Sequence, residues 1–293
     1  MINGHTKLVG LMAWPIGHTL SPAMHNAAFD ALGLNWRYVP LPVHPTQVEA
    51  AVRGLVALGF QGCNVTVPHK QAVIAALRAD ALDSVAPDAA AFGAVNTIIV
   101  ARDGDGTATL KGDNTDYQGF VGSLRSAGFE PEGKRVVVVG AGGGARAVVF
   151  GLLRVGAEQV LVSDLVPEQV QALVAGIGDA RLQELPATTE ALIEAARAAD
   201  LLVNATPVGM TPKVDGSIWP GDVPVPSHLT VFDLVYNPLE TKLLRQVKQA
   251  GGRAIAGLDM LVRQGAVSFE MWTGMEPPID VMRAACEEGL KNR

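Results

Sequence analysis

A two-part α/β fold is what the sequence predicts, on three observations. Strand-like and helix-like segments alternate through both halves of the 293 residues, the pattern of sheets covered by helices. The run Lys134 to Phe150, KRVVVVGAGGGARAVVF, joins a four-valine strand to a helix through a glycine loop. The last helical segments, Leu258 to Trp272 and Pro278 to Leu290, lie too far along to belong only to the sheet that this loop opens. The expected division is therefore residues 1–115, completed by 258–293, and residues 116–257.

In the first part, Lys7 to Ala13 reads as a strand, then a turn over Trp14 to His18, then a helix from Ser21-Pro22, with proline well placed just inside the start. Arg37 to Leu41 is a second strand. Val48, Ala51, Val52, Leu55 and Leu58 fall at helical spacing, and Gly62 to Val67 is a third strand. A helix from Lys70 toward Leu82 follows, then a hairpin around Asp103-Gly104-Asp105-Gly106. A helix from Tyr117 to Ala127 leads through Glu130 to Gly133 into the second part.

There, the valine strand stops at Gly140 and passes straight into a helix, the context of a Rossmann-type dinucleotide-binding unit. Gly140 permits the tight turn, Gly142 lets a pyrophosphate approach the backbone, and the small Ala145 lets the helix pack on the strand. Ala141, Gly143 and Gly144 complete the loop, whose helix N-terminus offers free N–H groups to phosphate. Gln159 to Val162 is the next strand, and Asp164 falls roughly 20 residues past the loop, where ribose hydroxyls are read. A helix from Pro167, an amphipathic stretch from Thr189 to Ala198, and strands at Asp200 to Asn204, Val231 to Val235 and Arg253 to Ile255 finish this part.

With 48% hydrophobic and 18% charged residues, the chain supports a well-buried core. A net charge of −6 and no basic run argue against a nucleic-acid binder. Cys63 and Cys286 stand far apart without metal-ligand spacing, so neither a disulfide framework nor a metal is expected. No signal pattern or spanning segment is visible, so a cytoplasmic protein without membrane partners, a monomer or homodimer, is the expectation.

A dehydrogenase needs a proton donor or acceptor beside the carbon that exchanges hydride. Lys70 and Asp116 are the candidates. Lys70 follows Asn64-Val65-Thr66-Val67-Pro68-His69, a strand whose polar C-terminal end suits a ligand crevice. Seen alone, Lys70 reads more readily as a solvated first-turn lysine, and Asp116 equally as an N-cap. His18, His25 and His69 lie beside turns or helix starts, where surface or capping roles outweigh catalysis.

Gly17-His18-Thr19-Leu20-Ser21-Pro22-Ala23-Met24-His25, Asn64 to Lys70, Gly93 to Thr97 and Gly112-Asp113-Asn114-Thr115-Asp116 occur in that order. With Gly140 to Ala145, Asn204-Ala205-Thr206, Asp233 to Tyr236 and Gly257 to Gln264, they resemble the shikimate dehydrogenase family, including its quinate/shikimate branch. The resemblance implies reversible reduction of 3-dehydroshikimate to shikimate with NAD or NADP, in aromatic amino-acid biosynthesis. It implies Lys70 and Asp116 as the catalytic pair, Thr19 and Ser21 as the carboxylate-binding hydroxyls, and Thr66, Asn96, Tyr236 and Gln264 as further substrate contacts. It also brings Asn204, Thr206, Leu234 and Gly257 to the cofactor. A quinate/shikimate dehydrogenase is the nearest alternative, and a non-catalytic nucleotide-binding sensor or scaffold is the alternative of another class.

Two positions depart from the commoner family pattern. Threonine replaces serine at position 19, where hydroxyl swaps in the family go with a changed choice between shikimate and quinate. Asp164-Leu165-Val166 replaces the Asn-Arg-Thr of NADP-using members. A carboxylate placed to accept from a 2′-hydroxyl repels a 2′-phosphate, by about 4 kcal/mol at roughly 4 Å and an effective dielectric near 20. Leu165 cannot replace the arginine fork. Arg146, read as part of the glycine loop, leaves some phosphate contact open, so NAD is expected to be preferred, with NADP the weaker or dual alternative.

Overall fold

The computed structural model describes residues 2–17, 19–91, 93–104 and 106–292, so His18 and the Asp105 of the expected hairpin lie outside the described residues. The chain divides into two compact units, Met1–Thr115 with Val262–Arg293, and Asp116–Leu261.

The first unit begins with strand β1 (Lys7–Ala13), helix α1 (Ser21–Ala31), strand β2 (Trp36–Pro42), helix α2 (Val48–Ala57) and strand β3 (Gly62–Val65). Helix α3 (Ala72–Arg78), the short β4 (Ser84–Val85) and α4 (Pro87–Ala91), and the strands β5 (Thr97–Arg102) and β6 (Ala108–Asp113) follow. The six strands form one mixed sheet in the order β2-β1-β3-β5-β6-β4. Pro40 and Pro42 lie in β2, and a strand lacking those N–H donors is tolerated at a sheet edge.

The second unit alternates helix α5 (Asp116–Ser126), β7 (Arg135–Val139), α6 (Gly143–Arg154), β8 (Gln159–Ser163), α7 (Pro167–Ile177) and β9 (Leu182–Glu184). It continues with α8 (Thr189–Arg197), β10 (Leu201–Asn204), β11 (Thr230–Asp233), α9 (Lys242–Gln249) and β12 (Arg253–Ala256). All six strands are parallel, in the order β12-β11-β10-β7-β8-β9. Counted from β7, that is the doubly wound dinucleotide-binding order, with its switch point between β7 and β10. Parallel strands covered on both faces are apolar throughout, as Val136, Val137, Val138, Leu201, Leu202 and Val203 are. Helix α10 (Leu258–Thr273) then carries the chain from the second unit to the first, where α11 (Ile279–Lys291) packs on α1.

The expected helix from Lys70 is shorter than its sequence pattern. The Lys70 carbonyl accepts from Val95 N (2.9 Å), and Ile74 N turns to Gln71 O (3.1 Å), so the regular helix begins at Ala72. Arg146 belongs to the first turns of α6 rather than to the loop before it.

The histidines also differ from expectation. His25 is wholly buried, stacked on Tyr38 (4.4 Å between centroids, 3° between planes) and flanked by Phe29, Phe269 and Trp272. His69 is buried too, its Nε2 2.8 Å from Val43 O. Gly62 lets the aromatic pile close: a Cβ there would collide with the indole of Trp272, which donates to Ile98 O (3.0 Å).

Both ring nitrogens of His25 lack hydrogen-bond partners, and burial lowers its pKa from 6.5 to about 3. The unfolded chain therefore binds a proton below its ordinary pKa that the folded chain refuses until much lower pH, so stability falls as pH drops through that window. Denaturant unfolding is expected to lose about 1.4 kcal/mol between roughly pH 7.5 and pH 5.5 from this residue alone. In His25→Phe that part of the slope disappears; an identical slope in both proteins excludes a neutral, buried imidazole.

Candidate active site

Register assembles the polar edge of the first sheet. β1 and β3 run parallel, with Met12 opposite Val65, while β5 opposes β3 with Asn64 paired to Thr97, and β6 opposes β5 with Thr97 paired to Asp113. The C-terminal ends of β1, β3 and β6 and the N-terminal end of β5 therefore share one edge. Thr19 and Ser21 follow β1, Thr66 and Lys70 follow β3, Asn96 precedes β5, and Asn114 and Thr115 follow β6.

Buried amides and hydroxyls fix that edge. Asn96 is 2% exposed; its Oδ1 accepts from Thr115 N (2.8 Å), and its Nδ2 donates to Thr115 Oγ1 (3.0 Å) and reaches Gln264 Oε1 (3.5 Å). Beneath it, Asn64 Nδ2 donates to Thr97 Oγ1 (3.1 Å) and Ser268 Oγ (3.0 Å), and Asn64 Oδ1 accepts from the Tyr38 hydroxyl (2.9 Å). Ser268 Oγ lies 2.8 Å from Thr97 Oγ1 and donates to Gln264 O (3.1 Å), which ties α10 to the sheet. Each buried amide would cost about 1 to 3 kcal/mol if left unpaired, so the network holds Asn96 and Gln264 in one orientation. Burial pushes the Tyr38 phenol up, well above its ordinary range, with the Cys63 thiol adding to the rise and a hydrogen bond from Ser21 opposing it. Tyr38 is therefore a neutral hydroxyl.

Ser21, 8% exposed, opens α1, and its N–H donates to Thr19 Oγ1 (3.1 Å), so the two hydroxyl residues form one turn. Thr66 and Lys70 are half-buried, and Lys70 is anchored by its carbonyl to Val95, the neighbour of Asn96. The structure thus brings Asn96 and Gln264 together and sets Thr19, Ser21, Thr66 and Lys70 on the strand ends of the same unit. Asp116 and Tyr236 belong to the second unit. Asp116 is buried as the first residue of α5, one position after Thr115, and Tyr236 is half-buried in the segment after β11.

In the second unit the strand ends form a single row. Ser163, Val139, Asn204, Asp233 and Ala256 are register partners across β8, β7, β10, β11 and β12. The next residues along four of these strands are Asp164, Gly140, Leu234 and Gly257. Gly140 has φ +115°, and a Cβ there would stand 2.9 Å from the Ala205 carbonyl and 3.2 Å from Thr206 Cγ2, so only glycine fits this crossing. A Cβ on Gly142 or Gly143 meets nothing within 4 Å, which leaves open space at the N-terminus of α6. Ala145 is fully buried against the strands, and Gly144 lies under Leu234.

Asp164 Oδ2 accepts from Ala141 N (2.8 Å) and Oδ1 from Val166 N (3.0 Å), which fixes a carboxylate at the end of β8 with lone pairs to spare. Leu165 beside it is 88% exposed. This donor set suits a dinucleotide: glycine backbone and helix N–H groups for phosphates, an acceptor for ribose hydroxyls. On the other side of the switch point, Asn204 Oδ1 accepts from Thr206 N (3.1 Å) and Thr206 Oγ1 (2.7 Å), while its Nδ2 donates to Val208 O (3.2 Å) and Asp233 Oδ1 (2.9 Å).

Sequence reasoning did not single out Asn64, Thr97, Ser268 or Asp233 as supports of the site. A signal existed for two of them: Asn64 interrupts the buried strand GCNV, and Asp233 ends the buried strand TVFD. Among the described residues no group of three or more His, Cys, Asp or Glu side chains could hold a metal ion, and no helix is long and apolar enough to cross a membrane.

Two family profiles match the chain: the shikimate dehydrogenase substrate binding domain over residues 11–98, and the shikimate 5'-dehydrogenase C-terminal domain over residues 257–287. The chain is 45% identical over 295 residues to the shikimate dehydrogenase (NADP(+)) of Moorella thermoacetica, spanning 99% of this chain and 95% of that protein. Among solved structures it is similar to shikimate 5-dehydrogenase from Listeria monocytogenes in complex with shikimate and NAD. The TM-score there is 0.87 at 33% identity, over 97% of each chain. It is also similar to quinate dehydrogenase from Corynebacterium glutamicum in complex with NAD, with a TM-score of 0.85 at 31% identity over 97% of this chain and 99% of that one. With such identity over nearly its whole length and the same two-sheet architecture, the chain belongs to the shikimate dehydrogenase family of oxidoreductases.

Proposed function

We propose that Lys70 and Asp116 carry the reversible reduction of 3-dehydroshikimate to shikimate in this chain, and that NAD is its preferred cofactor. The observation that carries the site is the anchoring of Lys70 through its own carbonyl to Val95, directly beside the Asn96, Thr115 and Gln264 cluster. Thr19 and Ser21, one turn at the start of α1, bind the substrate carboxylate. Thr66, Asn96, Gln264 and Tyr236 pair with ring hydroxyls, each good for about 1 to 3 kcal/mol of discrimination when its partner is lost. Such neutral amides and hydroxyls orient a polyhydroxylated ring acid without competing for its proton.

The bound nicotinamide supplies or takes up the hydride. Lys70 stabilises the negative charge that develops on the substrate oxygen and donates a proton to it, with Asp116 the second member of the proposed pair; in the opposite direction Lys70 receives that proton. Asn96 and Gln264, whose side chains meet each other and Thr115, keep the ring from turning away from Lys70. The NAD preference rests on the Asp164 carboxylate, fixed by two backbone N–H groups, and on the exposed Leu165 where a guanidinium would meet a 2′-phosphate. NAD stands in the Listeria and Corynebacterium complexes, whereas the Moorella relative is named for NADP(+).

Lys70→Ala is expected to lower kcat by roughly 100-fold or more while the KM for shikimate moves far less, as when an interaction specific to the transition state is removed. A variant with near-parental kcat excludes Lys70 as the proton donor.

Absorbance at the reduced-nicotinamide band, with shikimate and quinate crossed against NAD and NADP, tests the rest. NAD is expected to give at least about tenfold higher kcat/KM than NADP, and Asp164→Asn with Leu165→Arg to reverse that order. A parental preference for NADP overturns the role given to Asp164.

Quinate use is the second reading, favoured by Thr19, whose Oγ1 faces Ser21 N with one more methyl than serine carries. Thr19→Ser is expected to change the shikimate-to-quinate ratio of kcat/KM. If the ratio stays the same, position 19 plays no part in substrate choice.

A further inference from the structure

Asp233 is a fully buried carboxylate with no assigned task. It ends β11, and its neighbours in register are Asn204 on β10 and Ala256 on β12. Oδ1 accepts from Asn204 Nδ2 (2.9 Å) and Val235 N (3.1 Å), and Oδ2 from the Thr241 hydroxyl (2.6 Å). Thr241 Oγ1 in turn accepts from Leu244 N (3.3 Å), capping α9, so its own proton is directed to Asp233. Every partner is a neutral donor, and each of the two oxygens accepts from at least one of them. That is the hydrogen bonding of an ionised carboxylate, although burial pushes its pKa up against the three hydrogen bonds that hold it down.

A buried charge without a cation beside it is costly, and it is retained where its field is used. Its place indicates the use. In the doubly wound order, the two mononucleotide halves lie on either side of the switch point: Asp164 on β8 marks the adenosine side, and β10 and β11 carry the other. The ligand group that belongs at the β10 and β11 ends is nicotinamide, which is cationic when oxidised and neutral when reduced.

We propose that the Asp233 carboxylate favours the oxidised over the reduced cofactor, lowering the reduction potential of the bound nicotinamide, besides positioning the Asn204 and Leu234 strand ends. This rests on the reading of the glycine loop and these strand ends as the cofactor site. A unit charge acting over roughly 10 Å at an effective dielectric near 20 shifts an equilibrium about tenfold, and a buried charge is poorly screened by salt.

The test is the ratio of dissociation constants for oxidised and reduced nucleotide, measured by fluorescence titration with NAD⁺ and NADH and in parallel with NADP⁺ and NADPH. In Asp233→Asn the oxidised form is expected to weaken about tenfold more than the reduced form, raising the bound potential by about 30 mV for a two-electron couple. Thr241→Val removes one hydrogen bond and the α9 cap but keeps the charge, so its affinities fall together and the ratio stays parental. Should the Asn variant not fold, Asp233→Ser, which leaves Asn204 a hydroxyl acceptor, carries the same expectation. A ratio unmoved in the neutral variants, or moved equally in Thr241→Val, overturns the electrostatic role. A parental protein that binds neither nucleotide pair overturns the cofactor reading itself.

Discussion

Register in the two sheets is the constraint on which the rest depends. A parallel sheet aligns the carboxyl ends of its strands, so residues far apart in sequence arrive in one row without any of them contributing binding energy to the alignment. In the second unit that row is Ser163, Val139, Asn204, Asp233 and Ala256. A slip of one residue in β10 would turn Asn204 to the opposite face and break its bond to Asp233 on β11. The apolar strand interiors specify the register, and the polar strand ends depend on it.

The first unit reaches the same result with a mixed sheet. The antiparallel insertion of β5 sends its N-terminal end, rather than its C-terminal one, to the edge where β1, β3 and β6 finish. Asn96 therefore precedes its strand while Thr66 and Asn114 follow theirs. The network that joins Asn64, Thr97, Thr115 and Ser268 is buried and mutually satisfied, so it costs little desolvation and excludes alternative side-chain arrangements. Lys70 stands at the rim of this neutral lattice, joined to it where its carbonyl accepts from Val95 N, the neighbour of Asn96.

Much of this was legible in the sequence because it depends on local rules. The valine run, Gly140 and the acidic Asp164 after the second strand follow from strand burial, turn sterics and spacing, and the structure places them as those rules require. Buried apolar runs marked most strands of the second unit. What stayed hidden depends on partners distant in sequence. His25 lies in a helix whose pattern looks half-polar, and only the aromatic side chains of β2 and α10 turn its position into core. The start of α3 slipped from Lys70 to Ala72 because the Lys70 carbonyl is taken by Val95, from the start of another strand. β9 escaped notice because three residues, Leu182–Glu184, carry too little alternation to register as a strand until β8 supplies the partner.

The two acidic strand ends of the second unit show how one fold treats the same side chain in two ways. Asp164 is half-buried beside the exposed Leu165, held by backbone N–H groups, with lone pairs left for a ligand. Asp233 is wholly buried and its oxygens are committed to Asn204, Val235 and Thr241, so it meets a ligand only through its field and through the geometry it imposes. Direct contact reads a ligand's shape and hydroxyls; a field from within the protein reads its charge. In the roles proposed for them, the two carboxylates match a dinucleotide whose two ends differ in these respects, one distinguished by a ribose hydroxyl and the other by the charge of its ring.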